Sequence, residues 1–301
     1  MLKSARNGNA ELQFQVAECY YKGEKTPRNY NEAVEWYQKA AEHGHIKAQF
    51  QLGYLYAIGE CVPKDYNKSI EWYLKAAEQG EPAAQFNIGL YYELGHGSIP
   101  IDYQKSVEWY QKSANQGYAK AQNNLGVNYY KGIGVEIDIE KAIEWYQKAA
   151  NQGLASAQCN LGDYYYEIKQ DYKLSIQWYQ KAANQEYTNA EFRLGMCYLK
   201  GYGVEQNYQN AVKWFKKAAI KGHDVAQCNL GVCYKRGDGI EQNFKLAKEW
   251  YQKSAEQGYD VAQYNLGMFY LEIEGDVEQS LIWLRKAAKQ GNEQAIEMLS
   301  M

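Results

Sequence analysis

All eight tryptophans of this 301-residue chain fall on one recurring position: Trp36, Trp72, Trp109, Trp145, Trp178, Trp214, Trp250 and Trp283. The successive steps are 36, 37, 36, 33, 36, 36 and 33 residues. A period in this range means one supersecondary unit copied along the chain. It overrides the prior of about two globular domains that length alone suggests. Sixteen residues before the tryptophan, the full-length units carry a tyrosine, as at Tyr20, Tyr56, Tyr129, Tyr198 and Tyr234.

Each unit reads as two helices. The first carries A-x-x-x-L-G-x-x-Y, as in Ala121, Leu125, Gly126 and Tyr129, with residues four apart forming one stripe. Its glycine costs about 1 kcal/mol of helix propensity against alanine, a cost that close approach of a neighbouring helix offsets. The second helix carries W-Y-x-K-A-A, as in Trp145, Tyr146, Lys148, Ala149 and Ala150. Seven residues before every tryptophan stands an N-cap residue: Asn29, Asp65, Asp102, Asp138, Asp171, Asn207, Asn243 and Asp276. Eight residues after it a glycine ends the helix in seven units, with Glu186 as the exception. Glycine loops such as Gly132-Ile133-Gly134-Val135 join the two helices. The units ending in Trp178 and Trp283 are three residues shorter and have Glu167-Ile168-Lys169 and Glu272-Ile273-Glu274 there, which predicts a changed inter-helix turn.

One such pair cannot bury its aromatic face alone, so each unit leans on its neighbours. The whole unit, A-x-x-x-L-G-x-x-Y…G-x-G-V…D-Y-x-K-A-x-x-W-Y-x-K-A-A-x-x-G, resembles the Sel-one-like repeat, a relative of the tetratricopeptide repeat. Residues 121–156 match it throughout, and the resemblance covers nearly the whole chain. The expected fold is all-α, a right-handed α/α superhelical solenoid of about eight helix-turn-helix repeats starting near residues 12, 48, 84, 121, 157, 190, 226 and 262. Lys3-Ser4-Ala5 before Gly8 matches Lys112-Ser113-Ala114 before Gly117, so residues 1–11 read as the end of a preceding repeat or an N-terminal cap. Residues 295–301 read as the start of a further repeat or a C-terminal cap.

The resemblance implies a non-catalytic scaffold or adaptor, because proteins similar to this one include adaptors, bacterial signalling proteins and secreted effectors. The net charge of −3 lacks the electrostatic footprint of a nucleic-acid binder. No apolar run reaches the ~20 residues of a membrane-spanning helix. Cys19, Cys61, Cys159, Cys197, Cys228 and Cys233 do not recur as a pair in each unit, unlike disulfide-stapled members of the family. They read as small buried thiols in a reducing, cytoplasmic compartment.

An enzyme needs a constellation that breaks the repeat. His43, His45 and His223 lie in short turns between units, where His43-Gly44-His45 is too exposed and too short of partners for a metal site; His96 is the fourth histidine. No H-E-x-x-H, C-x-x-C, G-x-S-x-G or phosphate loop occurs. The sequence therefore points to no catalytic residue, metal or cofactor, and to a protein or peptide partner with no nucleic acid. It says nothing of oligomeric state.

The partner face is expected on the first helix. With its alanine as position 0, positions 2, 6 and 9 fall near 200°, 240° and 180°, opposite the core stripe. That far side carries apolar residues at Phe50, Phe86, Tyr54, Leu90, Val127, Met196, Val232, Met268, Tyr130 and Tyr166, broken by Asp163. Position 3 adds a polar row, Asn87, Asn124, Asn160, Arg193, Asn229 and Asn265, able to pair with an extended peptide backbone or with neighbouring repeats. An exposed apolar stripe marks an interaction surface; packing between successive units is the competing explanation. On the second helix, Lys39 to Lys286 follow each tryptophan by three, and Glu35, Glu71, Glu108, Glu144 and Glu249 precede five of them by four. This is the pattern of a solvated face with Glu–Lys pairs. The competing functional reading is a secreted effector, or a regulatory domain of a larger protein whose catalytic or targeting part lies elsewhere.

Overall fold

The Asp or Asn ahead of each tryptophan opens the second helix of its pair. In the computed structural model, which describes Ala5 and residues 8–300, all eight of these side chains accept a hydrogen bond from a first-turn backbone N–H. At the far end of that helix the recurring glycine is left-handed, with φ of 82–95° from Gly44 to Gly291. At Gly80 and Gly153 no atom lies within 4 Å of where a Cβ would stand, so conformation and not space requires glycine there. Glu186 holds the same place with φ of 60°.

The described residues form seventeen α-helices and no β-strand, in two compact units that divide between Leu154 and Ala155. The first unit holds four pairs: α1 (Ala10–Lys22) with α2 (Tyr30–Glu42), α3 (Ile46–Ile58) with α4 (Tyr66–Glu78), α5 (Pro82–Leu94) with α6 (Tyr103–Asn115), and α7 (Ala119–Lys131) with α8 (Ile139–Asn151). The second holds α9 (Ala155–Glu167) with α10 (Tyr172–Ala183), α11 (Thr188–Lys200) with α12 (Tyr208–Ile220), α13 (Asp224–Arg236) with α14 (Phe244–Glu256), and α15 (Asp260–Phe269) with α16 (Val277–Lys289), followed by α17 (Glu293–Ser300). Within each unit every helix packs on the one before and the one after, the all-α solenoid architecture that the period predicts. The reading of residues 1–11 as a preceding repeat end rests on Lys3 and Ser4, outside the described residues, as is Met301. The two short repeats do change their turn. α9 passes to α10 through Gln170 at φ 53°, and α15 runs into one π-helical turn, Tyr270–Glu274.

The alanine–leucine stripe is buried, as at Ala121 and Leu125, with Val16 and Ile88 in the leucine's place in the first and third pairs. The glycine after the leucine gives the aromatic ring of the second helix its place. A Cβ at Gly53, Gly89, Gly126, Gly162, Gly195 or Gly231 would lie 2.4–2.7 Å from the ring of Tyr73, Tyr110, Tyr146, Tyr179, Phe215 or Tyr251. The first pair carries Ala17 there, with Tyr37 fully buried in the same cluster.

A buried amide ties successive pairs within each unit. The glutamine after the stripe alanine donates from its side chain to a carbonyl near the end of the preceding second helix. Examples are Gln49 to Ala41, Gln85 to Ala77, Gln122 to Ala114, Gln227 to Ala219 and Gln263 to Ala255, at 3.0–3.1 Å. Its oxygen accepts from a glutamine at the end of its own pair: Gln79, Gln116, Gln152, Gln257 and Gln290 serve Gln49, Gln85, Gln122, Gln227 and Gln263 at 2.7–2.8 Å. One pair uses charges instead. Glu191, 1% exposed, meets Lys221 at 2.8 Å, and the Lys221 ammonium also donates to the Glu186 carbonyl of the preceding pair. Oε2 of Glu191 has no partner among the described residues.

The lysine three after each tryptophan lies over the indole ring, 3.9–4.5 Å from its centroid in all eight pairs. Among the described residues none of the five expected Glu–Lys pairs closes to a salt bridge. The turn histidines are also more engaged than their sequence context suggests. His45 and His223 cap α3 and α13 through Nδ1, and Nδ1 of His43 lies 2.9 Å from the Gln13 side-chain oxygen.

Three outcomes follow. Replacing Glu186 by glycine removes a left-handed non-glycine residue, and the chain should gain about 0.5–1 kcal/mol, read as a higher urea midpoint. Lys221→Gln leaves the Glu191 carboxylate buried without its cation and should cost about 2–3 kcal/mol, whereas Lys221→Gln with Glu191→Gln should recover most of it by restoring the amide pair; equal midpoints for single and double variants would refute the pairing. Burial, reinforced by Arg193 and opposed by Asp224, lowers the His223 pKa below 6.5. Folding then favours the neutral ring, so its contribution is complete above the unfolded pKa and declines as pH falls from about 6.5 towards the folded value. His223→Asn, a cap that does not titrate, should show a smaller drop in urea midpoint between pH 7.5 and 5.

Candidate interaction surface

The first helices present their variable positions on a face that neighbouring helices partly cover. Of the seventeen residues expected there, Tyr54 alone is exposed, at 41%. Phe50, Phe86, Leu90, Val127, Tyr130, Tyr166, Met196, Val232 and Met268 are half-buried. The aromatic ones at position 2 pack inward. Phe50 lies 5.5 Å from the Tyr73 ring, and Phe86 lies between Tyr110 and Tyr118 at 5.5 and 5.4 Å. The stripe is therefore largely a packing seam, because a second helix and the start of the next pair flank it.

The polar row at position 3 is half-buried as well, and much of it reaches the preceding pair. The side-chain amide of Asn124 donates to the Tyr110 hydroxyl at 3.2 Å, and Asn87 bonds the Tyr73 hydroxyl. Arg193 pairs with Asp163 at 2.9 Å, and Asp163 also accepts from the Tyr179 hydroxyl at 2.7 Å. Asn265 donates to the Cys228 sulfur at 3.4 Å, whereas Asn229 turns to its own helix and donates to the Val225 carbonyl at 2.8 Å. Asn160 is half-buried and engaged. Tyr166 meets Tyr172 and Tyr202 edge-on at 5.3 and 5.7 Å.

Three of these residues come together at open clefts, all in the second unit. One cleft, of about 210 Å³, lies between α11 and α13 and is lined by Leu199, Lys200, Asn229, Val232, Arg236 and Asp238 among others. The adjoining one, of about 470 Å³, lies between α13 and α15 and shares Val232 and Arg236 while adding Lys235, Phe244 and Asn265. Val232 and Arg236 thus stand on the wall between two depressions. The first unit has a cleft of about 380 Å³ around Phe14, His45 and Gln79, which holds none of the seventeen.

Nothing at these clefts resembles reactive chemistry. The thiols are free, and burial raises the pKa of Cys233 to about 11 and of Cys197 and Cys228 to about 12, far from a nucleophilic thiolate. Among the described residues no group of three His, Cys, Asp or Glu could hold a metal ion, and no helix is long and apolar enough to cross a membrane. The glutamine tie was missed by a reading fixed on positions 2, 3, 6 and 9. Its signal was the coincidence of two exceptions in one repeat, Glu191 and Lys221, where the other repeats have glutamine or, at the second place of the first repeat, His43.

Among solved structures, a protective antigen present in uropathogenic Escherichia coli strains and displaying an SLR fold is 36% identical with a TM-score of 0.81, over 97% of this chain. This chain spans 64% of that one, less than two thirds of its length. A Sel1 repeat protein from Oxalobacter formigenes is 31% identical with a TM-score of 0.73, over 99% of this chain and 88% of that one. Yeast Tom70, at 14% identity and a TM-score of 0.50 over 96% of this chain and 63% of its own, shares the fold alone. No curated protein matches. The Sel1 repeat model matches residues 10–45, 46–81, 82–118, 119–154, 155–187, 188–223, 224–259 and 260–292: the chain belongs to the Sel1 repeat family.

Proposed function

We propose that this chain is a non-catalytic interaction scaffold that takes segments of protein partners on the first-helix face of its repeats. One observation carries the reading: the framework repeats while that face does not. Caps, stripe, tryptophan and lysine recur in every pair, and the left-handed turn in all but one keeps its glycine. Position 6, by contrast, runs Glu18, Tyr54, Leu90, Val127, Asp163, Met196, Val232 and Met268. Asp163 is matched inside the fold by Arg193, whereas variation among the exposed and half-buried apolar members suits recognition of a non-repeating partner.

On this reading Tyr54 is the exposed contact of the first unit and Val232, with Asn229 and Asn265, the centre of the second. The half-buried members, from Phe50 to Met268, contact the partner through their outer edges while packing through their inner ones. Free thiols suit a reducing compartment such as the cytoplasm.

The test is a quantitative capture experiment with the full chain, the Tyr54→Asp and Val232→Glu variants, and Glu144→Arg as a control on the exposed side of α8. A partner lost by tenfold or more with either face variant, kept by the control, and accompanied by an unchanged far-ultraviolet circular dichroism spectrum is the expected result. Equal retention by all three would place recognition elsewhere.

A further inference from the structure

We infer that the adjoining clefts of the second unit take an acidic, extended peptide segment, a conclusion that rests on the scaffold reading and names the chemistry of one partner site. The argument begins with charge. Lys200 and Arg236 occupy the same repeat position, the last residue of α11 and of α13, and both line the first cleft. Among the described residues neither makes a salt bridge. Lys235, on the second cleft, is already neutralised by Glu272 at 2.9 Å. Asp238 is the one acidic residue among the lining of either cleft. In a chain of net charge −3, the two unpaired cations outnumber the one carboxylate that lines the cleft with them, around a partly apolar floor.

The same position is mixed in the first unit, where Lys22 and Lys131 end α1 and α7 and Ile58 and Leu94, exposed at 46% and 51%, end α3 and α5. The helix forms with either kind of side chain, so folding does not require a cation at this position.

The shape of the acceptors fixes the rest. The Asn229 and Asn265 amide nitrogens are committed, to the Val225 carbonyl and the Cys228 sulfur. Their oxygens are left to accept, which suits the N–H groups of an extended backbone. The forked guanidinium of Arg236 can hold a carboxylate through two parallel hydrogen bonds, and Lys200 adds a point charge beside it. Side chains of an extended segment alternate in direction, so carboxylates can reach the cationic rim while neighbouring apolar residues cover Val232.

Fluorescence anisotropy with the full chain tests this, using a rhodamine-labelled, end-blocked octapeptide of alternating Glu and Leu and its Gln–Leu counterpart. The acidic peptide should bind at least tenfold more tightly than the neutral one and weaken steeply between 50 and 300 mM salt, both chosen as roughly spanning strong and weak screening. Lys200→Gln with Arg236→Gln should weaken it at least tenfold, while Lys120→Gln with Lys131→Gln, which removes two charges from the first unit, should leave it unchanged. Equal affinity for the two peptides, equal loss in the control, or no binding of the acidic peptide overturns the inference. The Val232→Glu variant separates the two levels: if it abolishes binding of a neutral peptide that binds as well as the acidic one, the acid preference falls and the scaffold reading stands.

Discussion

The stacking of these helix pairs depends on a buried polar tie, a side-chain amide in most repeats and the Glu191–Lys221 ion pair in the sixth. Apolar contact between pairs is strong but non-directional, and it would tolerate sliding of one pair along the next. An amide is both donor and acceptor, and here its ends are used on different pairs: Gln122 donates back to Ala114 and accepts from Gln152. A slip of a few ångströms would strand both groups in the interior, at about 1–3 kcal/mol for each. The glutamine thus sets the register of successive pairs, while inside each pair of this kind the aromatic ring lies on the glycine face.

The sixth repeat shows that the tie is a requirement on the position and not on the residue. Glu191 has no N–H to offer the preceding pair, so the link must come from the other side. Lys221 provides it, reaching both the Glu191 carboxylate and the Glu186 carbonyl. Two substitutions thirty residues apart make sense only together. The orphan oxygen of Glu191 marks what the charged version does not recover.

Much of this architecture was legible in the sequence, because caps, turns and the apolar stripe are local. Asn29 to Asp276 cap for reasons contained within four residues, and the spacing of the tryptophans announces the copy. The partner face was less legible for a physical reason. A helical wheel treats a helix as having one neighbour, so positions near 200° are assigned to solvent. In a stack the first helix has neighbours on several sides, and Phe86, assigned outward, lies between Tyr110 and Tyr118. The same limit misplaced the lysines. Glu144 and Lys148 are correctly spaced for a surface pair, but such a pair is worth only a few tenths of a kcal/mol. The indole of Trp145, one residue from Glu144, offers Lys148 both a π face for its charge and apolar surface for its stem.

A framework held by so few positions leaves the others free to change. The stripe alanine and leucine, the glutamine, the glycine, the ring above it and the two caps account for the stacking; a residue at the end of the first helix contributes to none of them. That is why Ile58, Leu94, Lys200 and Arg236 can occupy one position without disturbing the helices that carry them. Selection for a partner acts most freely where the fold exerts least control, so in a copied structure the departures from the copy are the informative residues. Here that position is cationic at the ends of α1, α7, α11 and α13 and apolar at the ends of α3 and α5, on helices of identical length.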